Sequence, residues 1–184
     1  MKEWTLFLDR DGVINDRIIG GYVQKWSEFV FLDGVLECLP ILARKFNRIV
    51  IVTNQQGIAK GLMSVNDLNK VHAEMLDVIN QHGGRIDQVY FCAEHERENP
   101  PCRKPNTGMA IQAKLDFPDI DFDRAIMVGD SITDIEFGIR MNMKTILIET
   151  KPDIDKVKLA AIQDKIDYSF PSLYLFAQHL NNIL

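Results

Sequence analysis

Short apolar runs alternate along this chain with longer stretches of helical period. Thr5-Leu6-Phe7-Leu8 is apolar nearly throughout and too short for a helix, as is the β-branched run Arg48 to Val52. Val89-Tyr90-Phe91-Cys92, Ala125-Ile126-Met127-Val128 and Thr145 to Ile148 read as strands too, with a shorter one at Tyr168 to Phe170. Between them, apolar residues fall at helical spacing over Val35 to Phe46, Thr107 to Leu115 and Ile132 to Met141. Ser64 to Gln81 opens on a residue suited to cap a helix and stops before Gly83-Gly84. A helix near Asp155 to Gln163 and a last one from Pro171 complete the pattern. Strands that alternate with helices imply parallel pairing through right-handed crossovers, and continuously apolar strands imply a sheet covered on both faces. The expectation is a doubly wound, Rossmann-like α/β fold, with residues 1–184 forming one domain.

Composition narrows the class. The 184 residues are 46% hydrophobic and 26% charged, which excludes disorder as the main state. No apolar run approaches the roughly 18 residues of a membrane helix. Met1-Lys2-Glu3-Trp4 leads into the first strand without a signal-peptide pattern. Cys38, Cys92 and Cys102 are odd in number, which rules out a full disulfide framework, so a cytoplasmic setting is expected. The net charge of −5 argues against broad nucleic-acid binding. A monomer without membrane or nucleic-acid partners is expected.

In doubly wound sheets the working residues lie just past the carboxyl ends of strands. The first strand runs into Asp9-Arg10-Asp11-Gly12, the second into Thr53-Asn54-Gln55, and the third leads through a loop to Arg103-Lys104-Pro105. The fourth runs into Gly129-Asp130, with Asp134 four residues on. Carboxylates this dense repel one another unless a cation sits among them, and Mg²⁺ prefers oxygen ligands. The inventory suits phosphoryl transfer through Mg²⁺ and an aspartyl-phosphate. Asp9 is the expected nucleophile, and Asp11, two residues on, the acid and base. Thr53 and Lys104 would hold the phosphoryl oxygens. Asp130 would complete the metal site with Asp134 supporting it.

Leu8-Asp9-Arg10-Asp11-Gly12-Val13-Ile14-Asn15 resembles the first motif of the haloacid dehalogenase (HAD) superfamily of phosphatases. Thr53, Lys104 and Gly129-Asp130 with Asp134 match its second, third and fourth motifs. Thr53 to Gly61 and Cys102-Arg103-Lys104-Pro105, followed by Gly108-Met109, look like the subfamily that holds heptose 1,7-bisphosphate 7-phosphatases and histidinol-phosphate phosphatase domains. The resemblance covers about residues 5 to 150. It implies that Asp9, Asp130 and the backbone carbonyl of Asp11 bind Mg²⁺. It also implies that Asn54, Gln55, Arg103 and Lys104 contact a small phosphorylated sugar, and that there is no separate cap domain. Removal of the C7 phosphate of a heptose bisphosphate, in the making of lipopolysaccharide or another surface glycan, is the expected reaction. Histidinol phosphate is the alternative substrate.

Many members of that subfamily bind zinc in the loop before Arg-Lys-Pro. Here Cys92, His95 and Cys102 are the candidate ligands, but Pro100 stands where a further cysteine is expected. Structural zinc wants four ligands, so a metal-free loop is expected. A phospho-signalling receiver shares the aspartate, the hydroxyl and the lysine, but has no need of an acid/base such as Asp11. A nucleic-acid end phosphatase fits poorly with the acidic charge. His72 and His82, on the helix after the second motif, are expected to be solvated, and Cys38 to lie in the core.

Overall fold

The computed structural model describes residues 3–184. Six strands form one parallel sheet: β1 (Thr5–Leu8), β2 (Arg48–Asn54), β3 (Gln88–Cys92), β4 (Ala125–Gly129), β5 (Lys144–Ile148) and β6 (Tyr168–Phe170). Their order is β3-β2-β1-β4-β5-β6, so the chain winds outward from β1 to one edge and then from β4 to the other. The switch point falls between β1 and β4, where the two halves of a doubly wound sheet leave a crevice at the strand ends.

Six helices accompany the sheet in the described residues, α1 (Val35–Lys45), α2 (Val65–Gln81), α3 (Gly108–Asp116), α4 (Ile132–Arg140), α5 (Lys156–Ala160) and α6 (Leu173–Gln178), and all but α5 bury side chains against its faces. Successive strand residues point to opposite faces, and the core divides accordingly. Leu6, Leu8, Ile49, Ile51, Ile126 and Val128 face one layer, where α1, α2 and α6 bury Leu39, Met75 and Phe176. Phe7, Val50, Val52 and Met127 face the other, against Met109 and Ala113 of α3 and Phe137 of α4. Cys38 is buried in the first layer, as expected.

Most boundaries fall within a residue or two of those expected. Strand β2 is longer: its pairing with β3 continues through Thr53 and Asn54, so both residues end the strand instead of following it. Ser64 caps α2 in a reciprocal box with Asp67. The tail differs most. The helix expected to Gln163 ends at Ala160, because α5 has no buried residue and Val157 is 82% exposed, leaving no apolar face to extend it. The segment between β1 and α1 holds a short 3₁₀ turn at Trp26–Glu28, where Trp26 stacks on Phe29. Among the described residues no helix is long and apolar enough to cross a membrane.

Leu39 is fully buried in α1 within the layer that also supports α2. Leu39→Ala is expected to cost about 2–5 kcal/mol, read as a lower urea midpoint; a loss under about 1 kcal/mol would contradict this packing.

Candidate active site

The carboxyl ends of β1, β2 and β4 and the loop after β3 open into a cleft of about 450 Å³ lined by Asp9, Asp11, Thr53, Arg103, Lys104 and Asp130, among others. Asp9 directly follows β1, and its N–H donates to Val128 O of β4 at 2.9 Å, continuing the ladder. Its side chain accepts from the Arg10 N–H at 2.7 Å. Asp130 follows β4 directly. Gly12 has φ +88°, and a Cβ there would stand 2.1 Å from Asp130 Oδ2. Only glycine lets the first loop lie this close to the fourth motif.

Lys104 is the cation at the centre. It is 2% exposed, and its Nζ lies 2.9 Å from Asp9 Oδ1 and 2.6 Å from Asp134 Oδ1. It also donates to Val52 O at 2.6 Å. Asn54 fixes the backbone that carries it: Oδ1 accepts from Lys104 N and Nδ2 donates to Lys104 O. Asp134 reaches this point from the first turn of α4. There its Oδ2 accepts from the N–H and the hydroxyl of Ser131, closing the helix cap.

Charge does not balance here. Asp9, Asp130 and Asp134 each place a carboxylate oxygen within 4.8 Å of the others, all three buried. Lys104 is one fixed cation, and Arg17 adds a partial one, 3.2 Å from Asp130 Oδ2. Burial, then repulsion from Asp134, pushes the Asp9 carboxyl up to about 7 despite Lys104. Burial, with Asp134 and Asp9, pushes Asp130 up to about 8. Asp130 Oδ2 and Asp134 Oδ1 have no hydrogen-bond partner of good geometry. Oxygen-only donors, buried, mutually repelling and incompletely satisfied, fit a hard dication such as Mg²⁺.

The environment of Asp11 is the opposite. Burial works against its charge, but the Arg10 guanidinium and hydrogen bonds from Arg10, Asn15 and Gln55 outweigh it and hold the carboxyl below the usual range. Two neighbouring carboxylates are thus tuned apart: without a metal the surroundings favour the protonated form of Asp9 and the ionised form of Asp11.

The expected substrate contacts separate. Arg103 lines the cleft, with Nη2 near Glu96 Oε2 at 3.2 Å and Nη1 buried without a partner. Thr53 and Asn54 also line it. Gln55 is not among the residues that line the cleft. Its side chain turns inward, is fully buried, and donates to Asp11 Oδ2 at 2.8 Å and Thr53 Oγ1 at 2.9 Å. The candidate zinc ligands Cys92, His95 and Cys102 have other partners here. Cys92 and Cys102 are joined as a disulfide, and the His95 ring accepts from the Arg97 N–H.

Two residues in or beside the site were not expected there. Arg17 comes from the loop over the cleft and carries no motif. His72, expected to be solvated, is 6% exposed, and its Nε2 lies 3.0 Å from Arg10 Nη1. Its position in the stripe Leu68, Val71, His72, Met75, Ile79 places it on the buried face of α2, a signal the helical period does carry.

Residues 101–174 match the family model Hydrolase_like, described as HAD-hyrolase-like. The D-glycero-alpha-D-manno-heptose-1,7-bisphosphate 7-phosphatase of Mycobacterium tuberculosis (strain H37Rv) is 40% identical over 136 residues, 74% of this chain and 72% of that protein. The D-glycero-beta-D-manno-heptose-1,7-bisphosphate 7-phosphatase of Haemophilus influenzae is 36% identical over 153 residues, 79% of this chain and 82% of that protein. A crystal structure of D,D-heptose 1,7-bisphosphate phosphatase from B. bronchiseptica, complexed with magnesium and phosphate, aligns with a TM-score of 0.86. It is 27% identical and covers 98% of this chain and 99% of that one.

The raised carboxyls set a pH dependence. Asp9 and Asp130 bind protons more tightly folded, near 7 and 8, than at the ordinary 3.8. Between these values the folded state holds more protons, so stability falls as pH rises. Metal-free protein is expected to melt lower at pH 8 than at pH 5, with Mg²⁺ restoring more at pH 8 and Asp130→Asn flattening the slope. A melting temperature in chelator that rises over this range would contradict the cluster's charge state. Metal analysis of the purified chain is expected to find less than one zinc; a full equivalent would contradict the reading of the Cys92–Cys102 loop.

Proposed function

Since the chain belongs to the heptose-1,7-bisphosphate 7-phosphatase family of HAD-like hydrolases, we propose that it removes the C7 phosphate of D-glycero-D-manno-heptose 1,7-bisphosphate through an aspartyl-phosphate on Asp9. The observation that carries this reading is the meeting of Asp9, Asp130, Asp134 and Lys104 in one cleft, beside an acid/base of different tuning. The α anomer is the substrate in this reading, after the more similar of the two relatives described above. The enzyme acts as a monomer, with residues 1–184 as one catalytic domain.

Asp9, Asp130 and the Asp11 carbonyl are the metal ligands in this reading. Held there, Mg²⁺ would supply positive charge to the non-bridging phosphoryl oxygens and offset the burial and repulsion that raise the Asp9 carboxyl. An Asp9 carboxylate oxygen then attacks phosphorus while Asp11 passes a proton to the departing O7, so the sugar leaves as an alcohol. The proton that Asp11 passes is held against the Arg10 guanidinium, which favours the ionised form. In the second step Asp11 takes a proton from water as the water attacks phosphorus, which breaks the acyl-phosphate bond and regenerates Asp9. Lys104 and the Thr53 hydroxyl hold the phosphoryl oxygens as charge builds on them. The unpartnered Nη1 of Arg103 supplies a donor for the sugar or its second phosphate.

Phosphate release with Mg²⁺ from the two heptose 1,7-bisphosphate anomers and from histidinol phosphate tests the reading. The α anomer is expected to give the highest kcat/KM; preference for histidinol phosphate would contradict the substrate. Asp9→Asn should abolish turnover in a folded protein. Asp11→Asn should slow it by a factor on the order of 10²–10⁴, and an unchanged rate would remove Asp11 from its role.

A further inference from the structure

Arg10 lies between the two site aspartates in sequence, and its guanidinium is buried completely. Nη2 donates to both oxygens of Asp11, at 2.8 and 3.0 Å. Nη1 meets Nε2 of His72 at 3.0 Å, and Nε has no partner. A guanidinium only donates, so the imidazole must accept, which places its proton on Nδ1. The ring is neutral as this requires: burial and then the Arg10 charge push its pKa down to about 3. Phe91 packs near the ring, with centroids 6.1 Å apart, limiting its freedom to turn.

Arg10 would otherwise be held only through the amino group that grips Asp11. One anchored amino group leaves the fork free to tilt, and a tilt moves the carboxylate it grips. A second anchor on the other amino group removes that freedom. Asn15 Nδ2 and Gln55 Nε2 complete the bracket around Asp11, at 3.0 and 2.8 Å. His72 is not itself among the residues that line the cleft.

We propose that His72 is a positioning residue for the phosphatase reaction: as acceptor from Arg10 it holds the guanidinium that aims the Asp11 carboxyl at the leaving oxygen. The inference rests on the function proposed above. It separates His72 from an ordinary core histidine because it ties the residue to proton delivery and not to packing alone.

The test uses three variants and two esters. Gln carries its amide oxygen about as far from Cα as His carries Nε2, whereas the Asn oxygen falls about one bond short and Phe has no acceptor. For heptose 1,7-bisphosphate, whose alkoxide needs a proton to leave, His72→Asn and His72→Phe are expected to lose roughly 10- to 100-fold in kcat/KM, at unchanged KM. For p-nitrophenyl phosphate, whose leaving group departs unprotonated, the loss should stay under about threefold. His72→Gln should remain within about threefold of wild type on both esters. Should His72→Phe fail to fold, the Gln and Asn variants decide between them. Equal losses on both esters, equal losses for Gln and Asn, or no loss would overturn the proposal. Wild-type protein that hydrolyses neither ester contradicts the function proposed above and this inference with it; active wild type with unaltered variants contradicts the inference alone.

Discussion

Three carboxylates buried within 4.8 Å of one another are the constraint on which this structure turns. A folded chain tolerates such a cluster only if cations are built in or recruited or some of the carboxyls keep their protons, because unpaired buried charge costs several kcal/mol per ion. Lys104 is the cation built in, and it bridges two of the three aspartates. Much of the local architecture serves to deliver it. The loop after β3 returns to the strand ends, Asn54 clamps the Lys104 backbone, and Val52 O takes one of its protons. What remains is an excess of negative charge, which makes the site both a receptor for a dication and a poor resting place for an anion until that dication arrives.

The sheet order explains why these groups meet. β1 and β4 are neighbours at the switch point, so the residues that follow them, Asp9 and Asp130, emerge side by side. Gly12 and Gly129 remove the side chains that would hold the motifs apart: a Cβ at Gly129 would stand 2.1 Å from Asp134 Cβ. Asp11 is two residues past Asp9 and outside the cluster, and that displacement gives it different surroundings. It accepts from Arg10, Asn15 and Gln55 while Asp9 faces other carboxylates.

How much of this was legible before the structure depends on what each residue's pattern carries. The alternation of apolar runs and helical stripes specified the sheet, because fully buried parallel strands must be apolar on both faces. The tail helix near Asp155 was misjudged in length because its apolar positions, such as Val157, face solvent. The placement of Asp9, Asp11, Thr53, Lys104 and Asp130 at the strand ends followed from their order after apolar runs. The direction in which a strand-end side chain turns does not follow from order, and so Gln55 was expected to meet substrate although it braces Asp11 and Thr53. His72 is expected to be solvated, whereas the helical period of α2 puts it inward. Arg17 lies in an irregular loop, where neither period nor motif reports a contact 113 residues away at Asp130. The disulfide between Cys92 and Cys102 depends on how the intervening loop folds back, which spacing alone leaves open.

The account stands or falls on Asp9 as the atom that receives the phosphoryl group. The most direct measurement is to mix the Asp11→Asn variant with heptose 1,7-bisphosphate and Mg²⁺, quench during turnover, reduce with borohydride and map the modified peptide by mass spectrometry. An acyl-phosphate at Asp9 is reduced to the corresponding alcohol, so the account predicts conversion of that one aspartate, dependent on both substrate and Mg²⁺. Conversion at Asp130 or Asp134 in place of Asp9 would contradict it.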